Sequence, residues 1–254
     1  MVWRNSAVRA ICAKFLLSGN APLTSRQDPP YQAMRLRAFT TLDMPTDPLL
    51  SALELECRRG RRRLFSDLAF DLGAGQMLQV SGRNGSGKST LLRSLCGLTR
   101  PERGEVAWRG LPIRANRDAF NAELMYLGHA AALKDDLSAI ENLLAALDVA
   151  GRAASAEAAA RMLEELGLAA CAALPAKLLS QGQRRRVALA RLWLSGDTPL
   201  WVLDEPFVAL DADATEALRR LLAAHLENAG ILVLTTHQEI NVAPERTQHL
   251  RLDA

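Results

Sequence analysis

The sequence has little that would indicate a disulfide-bonded, zinc-binding or membrane-spanning protein. Its four cysteines lie far apart and form no C-x-x-C pair: Cys12, Cys57, Cys96 and Cys171. This spacing suggests neither a disulfide framework nor a zinc site, so reduced thiols in a cytosolic protein are the simplest interpretation. No apolar run approaches the roughly 20 residues that a spanning helix needs, and the chain is therefore not expected to cross a membrane by itself.

A strong charge of one sign and a high aromatic content are missing as well. The chain carries 31 Lys+Arg and 28 Asp+Glu, and only 5% of its residues are aromatic. Six of the basic and three of the acidic residues fall within residues 1–49, so residues 50–254 carry 25 of each sign. A neutral region with few aromatics lacks the positive field of a nucleic-acid binder, and we expect no nucleic-acid partner.

What the chain does have is a globular composition, with 49% apolar and 23% charged residues in 254 positions. Residues 1–49 differ from the rest because they contain five prolines and no sustained periodicity. We predict that they form a basic, disordered leader or result from a misassigned start, since Met34 and Met44 precede the ordered pattern. A signal peptide is the alternative, although Lys14 interrupts its apolar stretch, Ala10–Leu17.

Strand and helix patterns begin near residue 50. A half-buried strand is predicted from three apolar residues that alternate with charged ones: Leu53, Leu55 and Cys57. Residues 68–72 read as a second strand, and the arginine-rich turn around Gly60 between them is interpreted as a solvated tip rather than an anionic-lipid contact. Further along, Ser138 and Glu141 form a helix-capping box, and the alanine-rich stretch 153–166 is strongly helix-forming.

A glycine loop between a strand and a helix is the most informative motif. Met77–Ser81 is a short apolar strand, residues 82–90 read GRNGSGKST, and a helical run follows as far as Gly97. This is the order that a G-x-x-x-x-G-K-[ST] phosphate loop requires, because glycines let backbone N–H groups wrap a phosphate and the helix N-terminus adds its positive end. Lys88 supplies a charge for the β and γ phosphates of a nucleoside triphosphate, and Ser89 a hydroxyl for Mg²⁺. The predicted nucleotide-binding residues are Gly82, Arg83, Asn84, Gly85, Ser86, Gly87, Lys88, Ser89 and Thr90.

Two acidic residues follow a second buried strand. The apolar run Leu200–Leu203 ends directly in Asp204 and Glu205. In an open parallel sheet, ligands bind at the carboxyl ends of strands, so both acids should face the same crevice as the glycine loop. Asp204 is predicted to hold Mg²⁺, directly or through water, and Glu205 to orient or deprotonate the attacking water. A helix cap is the alternative role for such a pair.

A third buried strand, Ile231–Thr235, leads to a histidine. The neutral imidazole of His237 could hydrogen-bond a γ-phosphate oxygen from the carboxyl end of that strand. Residues 212–228 show helical spacing and lie between the second and third buried strands. This alternation predicts right-handed crossovers in a largely parallel sheet.

The sequence LSQGQ at residues 179–183 precedes another helical stretch. Ser180, Gly182 and the N-terminus of that helix form a second anion-binding element of the same physical kind as the glycine loop. One molecule already has one such element, so a second suggests that ATP is held between two copies of the chain.

Taken in order, these motifs resemble those of ABC transporter ATP-binding subunits over residues 50–254. The resemblance implies an α/β P-loop NTPase fold with a small antiparallel β part and a helical subdomain at about residues 130–185. It also implies that Asp211 belongs to the D-loop, that His129 occupies the Q-loop position and that His237 is the switch histidine. The signature that would face the partner protomer's ATP consists of Leu179, Ser180, Gln181, Gly182 and Gln183.

More narrowly, YLGH at residues 126–129, AIENL at 139–143 and LTTHQ at 234–238 resemble the haem-exporter subfamily that serves c-type cytochrome biogenesis. This likeness implies an ATP-hydrolysing, energy-coupling subunit with ATP and Mg²⁺ as cofactors. It further implies a homodimer closed around ATP, a separate transmembrane permease, and a peripheral location on the cytoplasmic face of the inner membrane.

The sequence departs from the family pattern at three places. Gln181 replaces the usual signature glycine, His129 replaces the usual glutamine, and Arg58 or Arg59 lies where an aromatic commonly stacks on adenine. Three alternatives to a haem exporter are the ATPase of another exporter, a soluble ABC ATPase acting on nucleic acid or ribosomes, and a non-hydrolysing assembly module. The neutral charge balance disfavours the second alternative, and Glu205 together with His237 favours hydrolysis over the third.

Overall fold

The computed structural model describes residues 48–236 and 240–252, all within one compact unit of the chain. Nearly all of the predicted leader, residues 1–49, therefore lies outside the described residues, as does His237. The strands are β1 (Leu50–Arg59), β2 (Arg62–Leu72), β3 (Met77–Gly82), β4 (Arg103–Trp108), β5 (Leu111–Pro112), β6 (Leu124–Leu127), β7 (Leu200–Leu203), β8 (Ile231–Thr235) and β9 (Thr247–Leu252). The α-helices are α1 (Lys88–Leu95), α2 (Arg117–Ala122), α3 (Ala139–Val149), α4 (Ala156–Glu165), α5 (Gln181–Trp193) and α6 (Ala212–Glu227). Short 3-10 helices cover Ala169–Cys171, Ala176–Leu178 and Pro244–Arg246.

A five-stranded sheet in the order β6-β7-β8-β3-β9 forms the centre of the fold. Every neighbouring pair in it is parallel, which confirms the predicted parallel sheet. All residues of β7 and β8 are buried, as continuous apolar runs in such a sheet predict. Because the strands are parallel, the glycine loop after β3 and the acidic pair after β7 leave the sheet at the same edge.

A second sheet, in the order β2-β1-β4-β5, is antiparallel and contains the predicted hairpin of β1 and β2. The prediction for Leu53 is wrong, because this side chain is 62% exposed, whereas Leu55 and Cys57 are buried as expected. The pairing of β1 with β4 shifts between Leu53 and Glu56, and Glu54 has a left-handed φ of 49°. Such a bulge reverses which alternate side chains face the core: Leu50 and Ala52 are buried before it, Leu55 and Cys57 after it, and Leu53 turns outward.

Helices α3, α4 and α5 share a core of their own, formed by apolar side chains such as Leu143, Leu163 and Val187. The predicted capping box at the start of α3 is confirmed, since Ser138 Oγ accepts from the Glu141 backbone at 3.2 Å. The Glu141 carboxylate in turn accepts from the Ser138 backbone at 2.7 Å. Across the described residues, none of the helices combines the length and apolar character required to span a bilayer.

Candidate nucleotide-binding site

The glycine loop makes a tight turn between β3 and α1. Gly82 has a φ of 143°, and a Cβ atom there would lie 2.3 Å from the Leu252 carbonyl oxygen. Gly87 has a φ of 108°, and its Cβ would lie 3.0 Å from Leu64 Cβ. Both positions therefore require glycine, for conformation as well as for space. Of the four residues between them, Arg83, Asn84 and Gly85 are exposed at the tip of the turn and Ser86 is buried.

Lys88 begins α1, and its ammonium group folds back over the loop. Its Nζ atom donates to the Gly82 carbonyl at 2.9 Å and to the Arg83 carbonyl at 3.3 Å. Inside the same loop, the buried Ser86 hydroxyl has no hydrogen-bond partner among the described residues. A buried cation, an unpaired hydroxyl and a helix N-terminus converge here, and this is the chemistry that a phosphate group satisfies. Ser89 is exposed beside them, where its hydroxyl is available to a metal ion.

The acidic pair after β7 is held by a threonine of the neighbouring strand. Asp204 is 2% exposed, and its Oδ1 accepts from Thr235 Oγ1 at 2.7 Å. The same hydroxyl oxygen accepts from the backbone N–H of Glu205 at 2.8 Å. Thr235 therefore orients both residues, a role that sequence reasoning missed. The signal available was a polar residue at the end of the buried strand β8.

His129 follows β6, the edge strand that pairs with β7. Its Nδ1 lies 3.5 Å from Glu205 Oε2, and the imidazole is 68% exposed while the carboxylate is 17% exposed. The structure thus brings together two residues that are 76 positions apart in the chain. The contact gives the pair a direct electrostatic interaction whenever the imidazole is protonated.

A buried arginine on α5 connects the two loops that carry His129 and Glu205. Arg185 is 5% exposed, and one of its terminal nitrogens, Nη1, donates to the carbonyls of Gly128 and His129 at 3.0 and 3.2 Å. The other, Nη2, donates to the carbonyls of Asp204 and Glu205 at 2.9 and 2.8 Å. Burial lowers the pKa of Arg185, an effect that the neighbouring carboxylates oppose.

Sequence reasoning assigned no role to Arg185, which lies within a run of three arginines at residues 184–186. Helical spacing contained the relevant signal. Arg185 shares the buried face of α5 with residues three, four and seven positions later, namely Ala188, Leu189 and Leu192. A charged residue in a buried stripe needs polar partners, and four carbonyl oxygens provide them.

The LSQGQ segment forms the start of α5. Ser180 Oγ caps the helix by accepting from the Gln183 backbone at 3.2 Å, and the Gln183 side chain accepts from the Ser180 backbone at 2.8 Å. Leu179 is buried before the cap. At the next helix, Asp211 caps α6 by accepting from the Ala214 backbone at 2.9 Å.

Strand β2 packs against the glycine loop, because a Cβ atom at Gly87 would lie 3.0 Å from Leu64 Cβ and 3.2 Å from the Phe65 ring. Arg58 forms an ion pair with Glu56 at 2.9 Å, whereas Arg59 is exposed at the end of β1.

A protein-family model described as ABC transporter matches residues 65–208, more than half of the chain. The chain belongs to the ABC transporter family. The cytochrome c biogenesis ATP-binding export protein CcmA of Dechloromonas aromatica is 50% identical over 204 residues, which is 80% of this chain and 100% of that protein. The CcmA of Nitrosospira multiformis is 48% identical, with 81% of this chain and 99% of that protein covered. Among solved structures, the dimeric MJ0796, a bacterial ABC transporter cassette, shares 27% identity and a TM-score of 0.65 over 80% of this chain and 94% of that one.

The geometry of the signature, residues 179–183, explains why glutamine can replace the usual glycine at position 181. Gln181 is the first residue of α5 and is exposed, so its side chain fits without conflict. Gly182 is different, because a Cβ atom there would lie 3.0 Å from the Ala209 carbonyl oxygen. The close approach of the Ala209 backbone therefore favours glycine at position 182. Glutamine fits at position 181, where the side chain is exposed.

Proposed function

We propose that this chain is the ATP-hydrolysing, energy-coupling subunit of a membrane ABC transporter, namely the haem exporter of c-type cytochrome biogenesis. The observation that carries the proposal is the position of Glu205. It follows the buried, threonine-held Asp204 at the same sheet edge from which the glycine loop emerges. Phosphate binding, metal binding and activation of water can therefore take place in one crevice.

Residues 82–90 bind the triphosphate of ATP in this proposal. Lys88 exchanges its two loop carbonyls for β- and γ-phosphate oxygens, and the N-terminus of α1 adds its partial positive charge. Ser89 and Asp204 would hold Mg²⁺, since hydroxyl and carboxylate oxygens suit this ion, and the bound ion would neutralise charge on the phosphates. Thr235 donates to one oxygen of Asp204, and the carboxylate would hold the metal ion directly or through water.

Glu205 is the group that orients or deprotonates the attacking water. His129 lies close enough to Glu205 to hold its carboxylate in place. His129 occupies the Q-loop position, so an imidazole that can carry a charge replaces the usual amide side chain there. His237 is the second catalytic residue and contacts the γ-phosphate. Its role rests on its place in the sequence, two residues after the end of β8.

Two copies of the chain close around two ATP molecules. Ser180 and Gln183 already satisfy each other in the capping box, so the first-turn N–H groups of Gln181 and Gly182 remain for the partner's phosphate. Only backbone donors are needed there, and this explains why glutamine suffices at position 181. The dimeric state of the related MJ0796 cassette and the placement of Asp211 beside the signature helix support this arrangement.

The proposal places the chain on the cytoplasmic face of the inner membrane, bound to a separate transmembrane permease. Its support is the naming of two 48–50% identical relatives as ATP-binding export proteins of cytochrome c biogenesis. The neutral charge balance of residues 50–254 continues to disfavour a nucleic-acid or ribosome partner.

Replacement of Glu205 by Gln tests the catalytic assignment. Loss of a general base lowers turnover by at least about 100-fold, while ATP binding to the glycine loop is kept and the ATP-bound dimer accumulates. Steady-state hydrolysis, ATP binding and size-exclusion chromatography measure the three effects. Glu216→Gln is the matched control, because Glu216 is an exposed carboxylate paired with Arg220 on α6. Unchanged hydrolysis in Glu205→Gln would refute the assignment.

Purification of the tagged chain from membranes tests the transport partner. We expect a membrane subunit to co-purify and haem-dependent cytochrome c assembly to fail when Glu205→Gln replaces the native chain. Co-purification with ribosomes or nucleic acid instead would favour the soluble alternative.

A further inference from the structure

Three consecutive arginines follow the signature on α5, and each contacts a different part of the molecule. Arg184 donates to the Ala176 carbonyl at 2.9 Å and pairs with Asp135 at 2.8 Å. Arg186 lies 3.7 Å from Asp211. These two arginines remain about a quarter exposed, whereas Arg185 points into the protein and is buried. The inward arginine therefore has a different role from its neighbours.

The four carbonyls bound by Arg185 belong to two loops that meet at the candidate site. One loop follows β6 and carries His129, and the other follows β7 and carries Glu205. A guanidinium is a rigid planar group with donors on several sides, so it can bind both loops at once. A lysine ammonium is a single point and cannot reproduce this span.

Glu205 shows why its backbone needs such support. Its φ is 50°, in the left-handed region that a non-glycine residue enters at a cost. Thr235 holds the N–H of Glu205 and Arg185 holds the carbonyl of Glu205. The peptide groups on both sides of this residue are thereby fixed, and the direction of the Glu205 side chain depends on them.

We propose that Arg185 is a positioning residue that couples the signature helix α5 to the Glu205–His129 pair of the same protomer. This inference rests on the proposed function, in which the N-terminus of α5 binds the partner's ATP. Arg185 lies about one helical turn after Gln181. A displacement of α5 by bound nucleotide is therefore transmitted through the guanidinium to both loops.

Arg185→Met in the full-length chain tests this coupling, because methionine keeps an unbranched apolar stem and removes every donor. We expect hydrogen exchange in peptides covering residues 128–130 and 204–208 to rise roughly tenfold, with residues 82–90 unchanged. We expect kcat to fall roughly 10- to 100-fold, with KM for ATP changed by less than about threefold. Arg185→Lys should recover part of both effects, since one donor group remains.

Arg191→Met is the matched control. Arg191 is a partly buried arginine on the same helix, and its guanidinium contacts Met125 Sδ at 3.7 Å instead of the site loops. We expect this variant to leave the exchange of both loops and the kcat within about twofold of the unmodified chain. An equal loss in Arg191→Met would show that any change on α5 has the same consequence, and this would overturn the proposal.

Loop exchange and kcat that stay within about twofold in Arg185→Met would also overturn the proposal. A failure of the proposed function would look different. Either the unmodified chain would lack ATPase activity, or the Glu205→Gln variant would remain active. The exchange measurement needs no turnover, so it tests the Arg185 contacts in either case.

Discussion

Thr235 offers the sharpest test of how the two halves of the acidic pair are held. Its single hydroxyl donates to the buried Asp204 carboxylate at 2.7 Å and accepts from the Glu205 N–H at 2.8 Å. Thr235→Val keeps the branched shape but removes both hydrogen bonds. A buried carboxylate then loses a donor, and a backbone N–H loses its acceptor.

The expected cost follows from these two losses. A hydrogen bond to a charged group contributes about 1.5–3 kcal/mol, and an unsatisfied buried N–H costs about 1–3 kcal/mol. Thr235→Val should therefore lower the free energy of unfolding by roughly 2.5–6 kcal/mol. In a domain of this size the corresponding fall in Tm is on the order of 10 °C.

Urea unfolding followed by circular dichroism, with a thermal scan beside it, measures this effect. Thr235→Ser is the matched control, because serine keeps the hydroxyl and loses only a methyl group. We expect the serine variant to recover most of the stability lost by valine. A valine variant within about 1 kcal/mol of the unmodified chain would refute the reasoning, since the hydroxyl would then be dispensable.

Two further predictions concern the fold around the site. Gly104→Ala should cost roughly 2–4 kcal/mol of unfolding free energy, because a Cβ there would lie 2.3 Å from the Leu53 carbonyl oxygen at the β1 bulge. Gly110→Ala, with a similar φ of 73° and open space, should cost about 1 kcal/mol, and equal costs in urea unfolding would contradict the steric argument. Burial lowers the pKa of His225 to about 4, so its neutral form stabilises the fold above the ordinary histidine pKa. As the pH falls from about 6.5 towards 4, the unfolded state gains the proton first, and about 3 kcal/mol of stability should be lost. His225→Phe should flatten this pH dependence of the unfolding midpoint; an unaltered slope would exclude His225 as its source.

Elements that depend on residues close together in the chain could be predicted from the sequence. The three buried strands, the glycine loop, the helix of residues 212–228 and the Ser138 capping box all depend on short-range spacing, and the structure confirms each of these elements. The family and the fold class are confirmed as well. The roles of Glu205, His237 and the signature residues in catalysis and in the partner's site stay predictions.

The exposed Leu53 shows where pattern reading fails. Alternation assumes an uninterrupted strand, whereas the bulge at Glu54 depends on how β4 approaches β1. Gly104 makes that approach possible from 50 positions away. Periodicity within one strand contains no information about such a partner.

Local sequence motifs identify the residue types that the site uses. The order of strands in the sheet determines how those residues come together. Strand β7 lies between β6 and β8, and this places His129 on one side of Glu205 and Thr235 on the other. Arg185 then joins the two loops from a helix that packs beside them. Contacts between residues 20 to 76 positions apart depend on strand pairing and burial across the whole domain, so only the folded chain shows them.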